Sequence, residues 1–391
     1  MRRGTSRSRG PAEAPDTGLR RRPAGLARLR VGTVANPDVQ LVHVHGGEPG
    51  LRRERRGDRF VILDPDGEPV DDPETLARIQ QLAIPPAWRE VWIAMRPDAH
   101  LQATGLDAKG RRQYRYHPAW RRRRDHEKFD DMLDFAQALP ALRGHVTEHL
   151  HDEAPRREHT LALALRLLDV GLFRVGWDRY ARDNGHVGLA TLRRDQVRLL
   201  GAAARFDFIA KSGRRRRMTV LDPPAVQALA PLRRRRGDPV ELLVYRAPAG
   251  WRRITAPDVN NALRCWGAGP YSAKEFRTWA ATVLAAVALA REHAAGHHGP
   301  RAVSRAVRQV SAALGNTPAV ARASYVDPRV IEAYEAGTVV ELPGDPAEPG
   351  VPLRIDDRDD GIVIELPTSA TGDAIREETE RRVRALLRDR A

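Results

Sequence analysis

Phe206-Asp207-Phe208-Ile209-Ala210-Lys211-Ser212-Gly213 is followed by Arg214-Arg215-Arg216-Arg217 and then Met218-Thr219-Val220. Two apolar, partly β-branched runs flank a Lys-Ser-Gly turn, which predicts a hairpin with a lysine at its tip. Just upstream, His186 to Leu192 and Val197 to Leu200 read as two further strands. Helical pattern brackets this small sheet. Phe129 to Leu142 carries apolar residues at helical spacing, and Leu161 to Gly171 ends in a glycine, as helices often do. The chain reads as helical again from Val259 to about Tyr334. The expected class is therefore α+β, with a small antiparallel sheet and hairpin set in a mostly helical domain.

Further out, the pattern changes. Residues 31–122 hold short apolar runs broken by turn signals. Arg59 to Leu63 reads as a strand leading into a hairpin-type turn at Asp64-Pro65-Asp66-Gly67, and Val91 to Ala94 as another after Pro85-Pro86. This predicts a small, mainly β N-terminal domain, with Arg121 to Arg124 at its junction to a second domain, 123–341. Residues 1–30 read as a disordered basic tail. Residues 342–391 read as an Asp/Gly/Pro-rich tail closed by a charged helix from Ala374 to Arg390.

The 391 residues carry a net charge of +15, which points to a polyanionic partner, most often nucleic acid. Only Lys109, Lys128, Lys211 and Lys274 are lysines among 66 basic residues, so each is worth inspecting: lysine can release a proton and arginine cannot. One cysteine, Cys265, excludes an intramolecular disulfide and a cysteine-cluster metal site. His145, His149 and His151 lack a carboxylate or cysteine framework, so no metal is expected. No apolar run reaches the ~20 residues of a membrane span, and no secretory signal is apparent. A cytoplasmic chain is expected.

Phosphoryl transfer from DNA requires a nucleophile, cationic donors on the non-bridging oxygens, and an acid for the leaving 5′-oxygen. Tyrosine suits the first role where the ester must be reversible, and arginine the second through its planar fork. Lysine suits the third, because burial among arginines lowers its pKa. The chain carries such residues in order. Leu168-Asp169-Val170-Gly171 precedes Arg174-Val175-Gly176, and Asn184-Gly185-His186-Val187-Gly188 comes next. The lysine hairpin, Lys274-Glu275-Phe276-Arg277, Leu314-Gly315-Asn316-Thr317-Pro318 and Ser324-Tyr325-Val326-Asp327-Pro328 follow.

In order and local sequence, residues 31–341 resemble the type IB DNA topoisomerases, in particular the short poxvirus-like enzymes of bacteria. The resemblance implies a catalytic domain in which Arg174 and Arg277 clamp the scissile phosphate and Lys211 is the general acid. Asn316 would hydrogen-bond a phosphate oxygen, and Tyr325 would be the nucleophile, leaving a 3′-phosphotyrosyl enzyme. It implies relaxation of supercoiled DNA without ATP, divalent metal or other cofactor, by a monomer closing as a clamp on double-stranded DNA. The poxvirus and nuclear enzymes have histidine where Asn316 sits. Asparagine keeps a neutral hydrogen bond and loses any cationic contribution, so slower activity is expected. Ala210 stands where the family often has glycine, which puts the hairpin geometry in question.

Gly105 to Pro118 interleaves basic and aromatic residues. Strand alternation places Tyr114 and Tyr116 on one face and Gln113 and Arg115 on the other. Arg112, Gln113, Tyr114 and Tyr116 are therefore candidate DNA contacts, since Arg and Gln can read base edges. The resemblance adds Tyr180. Two alternatives remain. A tyrosine recombinase shares the nucleophile, arginine pair and lysine hairpin. It normally has His-x-x-Arg where this chain has Lys274-Glu275-Phe276-Arg277, and a helical N-terminal clamp. A packaging protein would bind DNA without a covalent adduct.

Overall fold

The computed structural model describes residues 40–151, 155–343, 354–358, 361–365 and 370–389. The expected basic tail, 1–30, lies outside them. The chain divides into two units, Met1–Arg122 and Arg123–Ala391.

In the first unit, β1 (Leu51–Arg56) and β2 (Arg59–Leu63) pair through Arg56 and Arg59 across a two-residue turn at Gly57-Asp58. The expected hairpin-type turn at Asp64–Gly67 is present: the Gly67 amide donates to the Asp64 carbonyl at 3.2 Å, and the Asp64 amide to the Glu68 carbonyl at 2.9 Å. The Asp64 carboxylate also accepts from the Asp66 and Glu68 amides, both at 2.9 Å, and Leu63 and Pro69 form an antiparallel bridge across it. Helix α1 (Pro73–Gln81) starts at Asp72, whose side chain accepts from the Thr75 amide, with Pro73 in the first turn. Strands β3 (Arg89–Ile93), β4 (Leu101–Leu106) and β5 (Arg112–Tyr116) complete an antiparallel sheet in the order β2-β1-β3-β4-β5. Its small core gathers Leu51, Ile62, Ile79, Val91, Ile93 and Ala103. Helix α2 (Pro118–Leu150) begins in this unit and continues into the second.

The second unit is mainly helical. Helix α3 (Arg157–Gly171) is buried along almost its whole length. After α4 (Asp178–Asn184) come β6 (Val197–Leu200), β7 (Ala203–Ile209) and β8 (Arg215–Leu221), an antiparallel set that includes the lysine hairpin. The stretch His186–Leu192 is not the strand expected. Gly188 is extended and the Val187 amide donates to the Ile209 carbonyl at 2.8 Å, but Leu189–Thr191 form a 3-10 turn. Helix α5 (Pro223–Arg234) and the hairpin of β9 (Val244–Ala247) with β10 (Gly250–Arg253) follow.

Helix α6 (Ala256–Leu263) leads to α7 (Lys274–Ala294), which is buried all round from Phe276 to Ala290 apart from Ala280. A helix without a polar stripe must sit in the middle of its domain, and α3 packs on α7 together with α8 (Pro300–Leu314). Helices α9 (Pro318–Ser324) and α10 (Pro328–Glu335) complete the run. The C-terminal residues contribute more than the expected charged helix. Strands β11 (Arg354–Arg358) and β12 (Gly361–Glu365) extend the hairpin sheet to the order β11-β12-β8-β7-β6, and β12 runs parallel to β8. Helix α11 (Ala370–Arg388) packs on α7 and α10. Among the described residues no helix is long and apolar enough to cross a membrane.

Candidate active site

The site is built at the ends of helices. Helix α3 stops at Gly171, and the next residue, Leu172, takes the left-handed conformation with φ 53°. That is an unfavourable state for a leucine, and it is held here by burial. The turn aims the Leu172 carbonyl at Arg277, whose Nη1 donates to it. Two residues on, Arg174 leaves the same segment. Its backbone is clamped: the Leu189 amide donates to the Arg174 carbonyl at 2.8 Å, and the Ala190 amide to the Val175 carbonyl at 2.7 Å. This requires Gly176 and Gly188 to touch backbone to backbone. A Cβ on Gly188 would lie 2.4 Å from the Gly176 Cα.

Helix α8 ends in a Schellman-type cap. Gly315 is left-handed at φ 64°, and the Asn316 amide reaches back to the Ser311 carbonyl at 3.0 Å. The last-turn carbonyls that a helix leaves unpaired are taken by arginines. Arg277 Nη2 donates to the Leu314 carbonyl at 2.9 Å, and Arg216 donates to those of Ala312 and Ala313. The Asn316 side chain accepts from Arg174 through Oδ1, while its Nδ2 is buried with no partner among the described residues. The motif 314–318 thus reads as helix stop, Asn316, the Thr317 cap of α9, and Pro318 in its first turn.

Tyr325 closes α9. Its amide donates to the Ala321 carbonyl at 3.0 Å, and its own carbonyl accepts from Thr282 Oγ1 at 3.3 Å. Asp327 caps α10 and is paired with Arg329. The ring of Tyr325 lies under the Arg277 guanidinium, 5.3 Å from its central carbon. Burial acts to raise the phenol, but Arg277, Arg174 and Lys274 outweigh it and hold Tyr325 below the ordinary tyrosine range. Burial, and then Arg174, push Arg277 down from the usual arginine value. The site therefore concentrates positive charge where it is poorly hydrated. Such a place favours an anion.

Arg174 and Asn316 line a cleft of about 480 Å³, together with Gly315, Ile362 and the Arg214–Arg217 strand. The structure thus brings Arg174, Arg277, Asn316 and Tyr325 together. Lys211 differs from the expectation of burial among arginines. It stays exposed at the hairpin tip, with Ser212 and Gly213 left-handed behind it. Ala210 fits the hairpin without difficulty, because its φ is −90° and the turn closes with the Ala210 amide donating to Arg214 at 2.8 Å. The arginine band is not uniformly free. Arg215 and Arg217 both pair with Asp207 on β7, at 2.7 and 3.3 Å, and Arg216 caps α8. The alternation of the hairpin could have indicated the Asp207 pairing, since Asp207 stands opposite Arg217. No residue-type signal marks Leu172.

In the first unit, Tyr114 and Tyr116 share a face, their rings stacked at 6.0 Å, and Tyr114 is exposed. Arg112 is exposed. Gln113 donates to Asp107 at 3.0 Å, and Arg115 donates to the Ala83 carbonyl at 2.9 Å. Tyr180 belongs to α4, and its side chain lies outside the described residues. His149 stacks on Trp266 at 4.9 Å.

Comparison with known proteins bears on this arrangement. Residues 117–338 match the profile of the eukaryotic DNA topoisomerase I catalytic core, and residues 59–107 that of the bacterial DNA topoisomerase IB N-terminal domain. DNA topoisomerase 1B of Acanthamoeba polyphaga mimivirus is 28% identical over 294 residues, covering 73% of this chain and 88% of the viral protein. The catalytic-core match spans more than half of the chain, and the chain belongs to the type IB DNA topoisomerases.

Proposed function

We propose that the protein relaxes supercoiled DNA by cutting and resealing one strand through Tyr325. The phenol oxygen attacks the scissile phosphorus and loses its proton to solvent. A bond forms between Tyr325 and the phosphorus, and the bond to the 5′-oxygen breaks. The non-bridging oxygens are held by Arg174, Arg277 and the Asn316 Nδ2 donor. Lys211 protonates the leaving 5′-oxygen once DNA draws the exposed hairpin tip inward. Reversal of these steps reseals the strand. The phosphotyrosyl ester conserves the energy of the broken bond, so neither ATP nor a divalent metal is consumed. The observation that carries this reading is Tyr325 beneath the buried Arg277, with its phenol held down by surrounding cations.

Arg112, Gln113, Tyr114, Tyr116 and Tyr180 supply DNA contacts, and the enzyme works as a monomer clamped on the duplex in the cytoplasm, at the nucleoid. Gln113 is tied to Asp107. Relaxation of a supercoiled plasmid in chelator, without ATP, tests the activity. Denaturant trapping tests the intermediate. Tyr325→Phe should abolish the adduct and leave salt-sensitive DNA binding intact. An adduct persisting in that variant would move the nucleophile elsewhere. Strand exchange between paired sites without relaxation would instead make the protein a recombinase.

A further inference from the structure

The matched catalytic core ends at residue 338, yet the chain beyond it is built into the site. We infer that the C-terminal residues 354–358, 361–365 and 370–388 form a brace that fixes the arginine-lined cleft and thereby sets the rate of strand cleavage.

Two attachments carry this. The first is to the hairpin. Strand β12 runs along β8 with Ile362 opposite Met218 and Glu365 opposite Leu221, so the hairpin that carries Lys211 is a central pair of its sheet. Ile362 stands in the cleft wall with Arg174 and Asn316. Without β12, β8 would be an edge strand with a row of unpaired backbone groups.

The second attachment is to the root of the Arg174 segment. Helix α11 brings Arg376 and Glu380 into a closed, buried quartet with Arg143 of α2 and Asp169 of α3. Arg376 lies 2.6 Å from Asp169 and 3.0 Å from Glu380. Arg143 lies 3.0 Å from Asp169 and 2.9 Å from Glu380. Asp169 is three residues before Leu172, whose carbonyl holds Arg277, and five before Arg174. A neighbouring pair, Arg166 with the fully buried Asp222 at 2.7 Å, ties α3 to the residue that follows β8. The quartet and this pair therefore converge on α3, while β12 holds the hairpin from its other side. Removing one member of such a quartet leaves a buried charge uncompensated, which loosens its surroundings far more than losing a surface pair.

The rate readout rests on the phosphotyrosyl reading, and the exchange readout does not. In the full chain, Glu380→Gln is compared with Arg381→Gln, which alters only an exposed pair with Glu378. Expected for Glu380→Gln is faster amide hydrogen exchange in α11, and with it in β8 and at residues 170–174. Single-turnover adduct formation slows by about tenfold with DNA affinity unchanged, because small displacements of catalytic groups cost rate rather than binding. Arg381→Gln stays at wild-type values. A second variant, Ile362→Ala, keeps the quartet and should slow adduct formation several-fold. The brace is overturned if α11 loosens while β8 keeps its protection, or if both variants cleave at the wild-type rate. Should Glu380→Gln not fold, Ile362→Ala alone decides. A wild-type chain that forms no adduct refutes the phosphotyrosyl reading, and the exchange comparison still decides the brace.

Discussion

At the scale of single residues, Tyr325 is one of seven tyrosines, and its motif, Ser324 to Pro328, sets it apart only in company with the other motifs. Its distinction comes from the cations around it. Lys274, exposed at the start of α7, is one of them. Lys274→Met removes a charge that favours the phenolate, so the phenol must rise. The pH at which single-turnover cleavage reaches half its alkaline maximum should move upward, with folding unaffected. An unmoved midpoint would show that Lys274 does not act on Tyr325. Arg174, Arg277, Asn316 and Tyr325 were legible in the sequence because each lies in a motif with an ordered set of neighbours. Leu172 was not legible. A left-handed leucine is imposed by its surroundings, and no local pattern announces it.

At the scale of elements, the motif glycines acquire separate physical reasons. Gly315 ends α8 in a left-handed turn, whereas Gly188 has an ordinary φ and is needed for contact with Gly176. Gly188→Ala forces the two backbones apart. It should lower stability by about 1–3 kcal/mol, the usual range for overpacking, seen as a fall in Tm. Because Arg174 hangs from the displaced segment, cleavage should fall further than DNA binding does. A variant with normal Tm and rate would contradict this contact. The elements the sequence concealed share a cause. Strand β1 reads LRRERR, five charges in six residues, so no apolar alternation betrayed it. Residues 186–192 read as a strand from their apolar pattern, and the segment does bond to β7 through the Val187 amide and to residues 174–175 through the Leu189 and Ala190 amides, but the turn at 189–191 ends the run. The pairing of β12 with β8 joins positions about 140 residues apart, beyond the reach of local pattern.

At the scale of the whole molecule, two kinds of charge organisation coexist. In the quartet, burial acts to raise Asp169 and Glu380, but the arginines outweigh it and keep both below the ordinary carboxylate range. A carboxylate held down in the folded state stabilises above its unfolded pKa of about 4 and loses that contribution as pH falls through the folded value. Docking of α11 should therefore be unchanged across neutral pH and weaken only below about pH 4, as hydrogen exchange of residues 370–388 against pH can establish. Loosening near neutrality would mean that other groups hold the helix. Around Tyr325 the organisation is opposite. Arg277 and Arg174 are fastened by three neutral oxygens, those of Leu172, Leu314 and the Asn316 amide. Fastening by dipoles fixes their positions without cancelling their charge. A cleft so equipped should discriminate among ordinary salts by shape as well as by ionic strength. A tetrahedral dianion such as sulfate should inhibit relaxation more strongly than chloride at matched ionic strength, and equal inhibition by the two salts would refute it. The sensitivity of the enzyme to its buffer is thus written in which atoms hold its arginines.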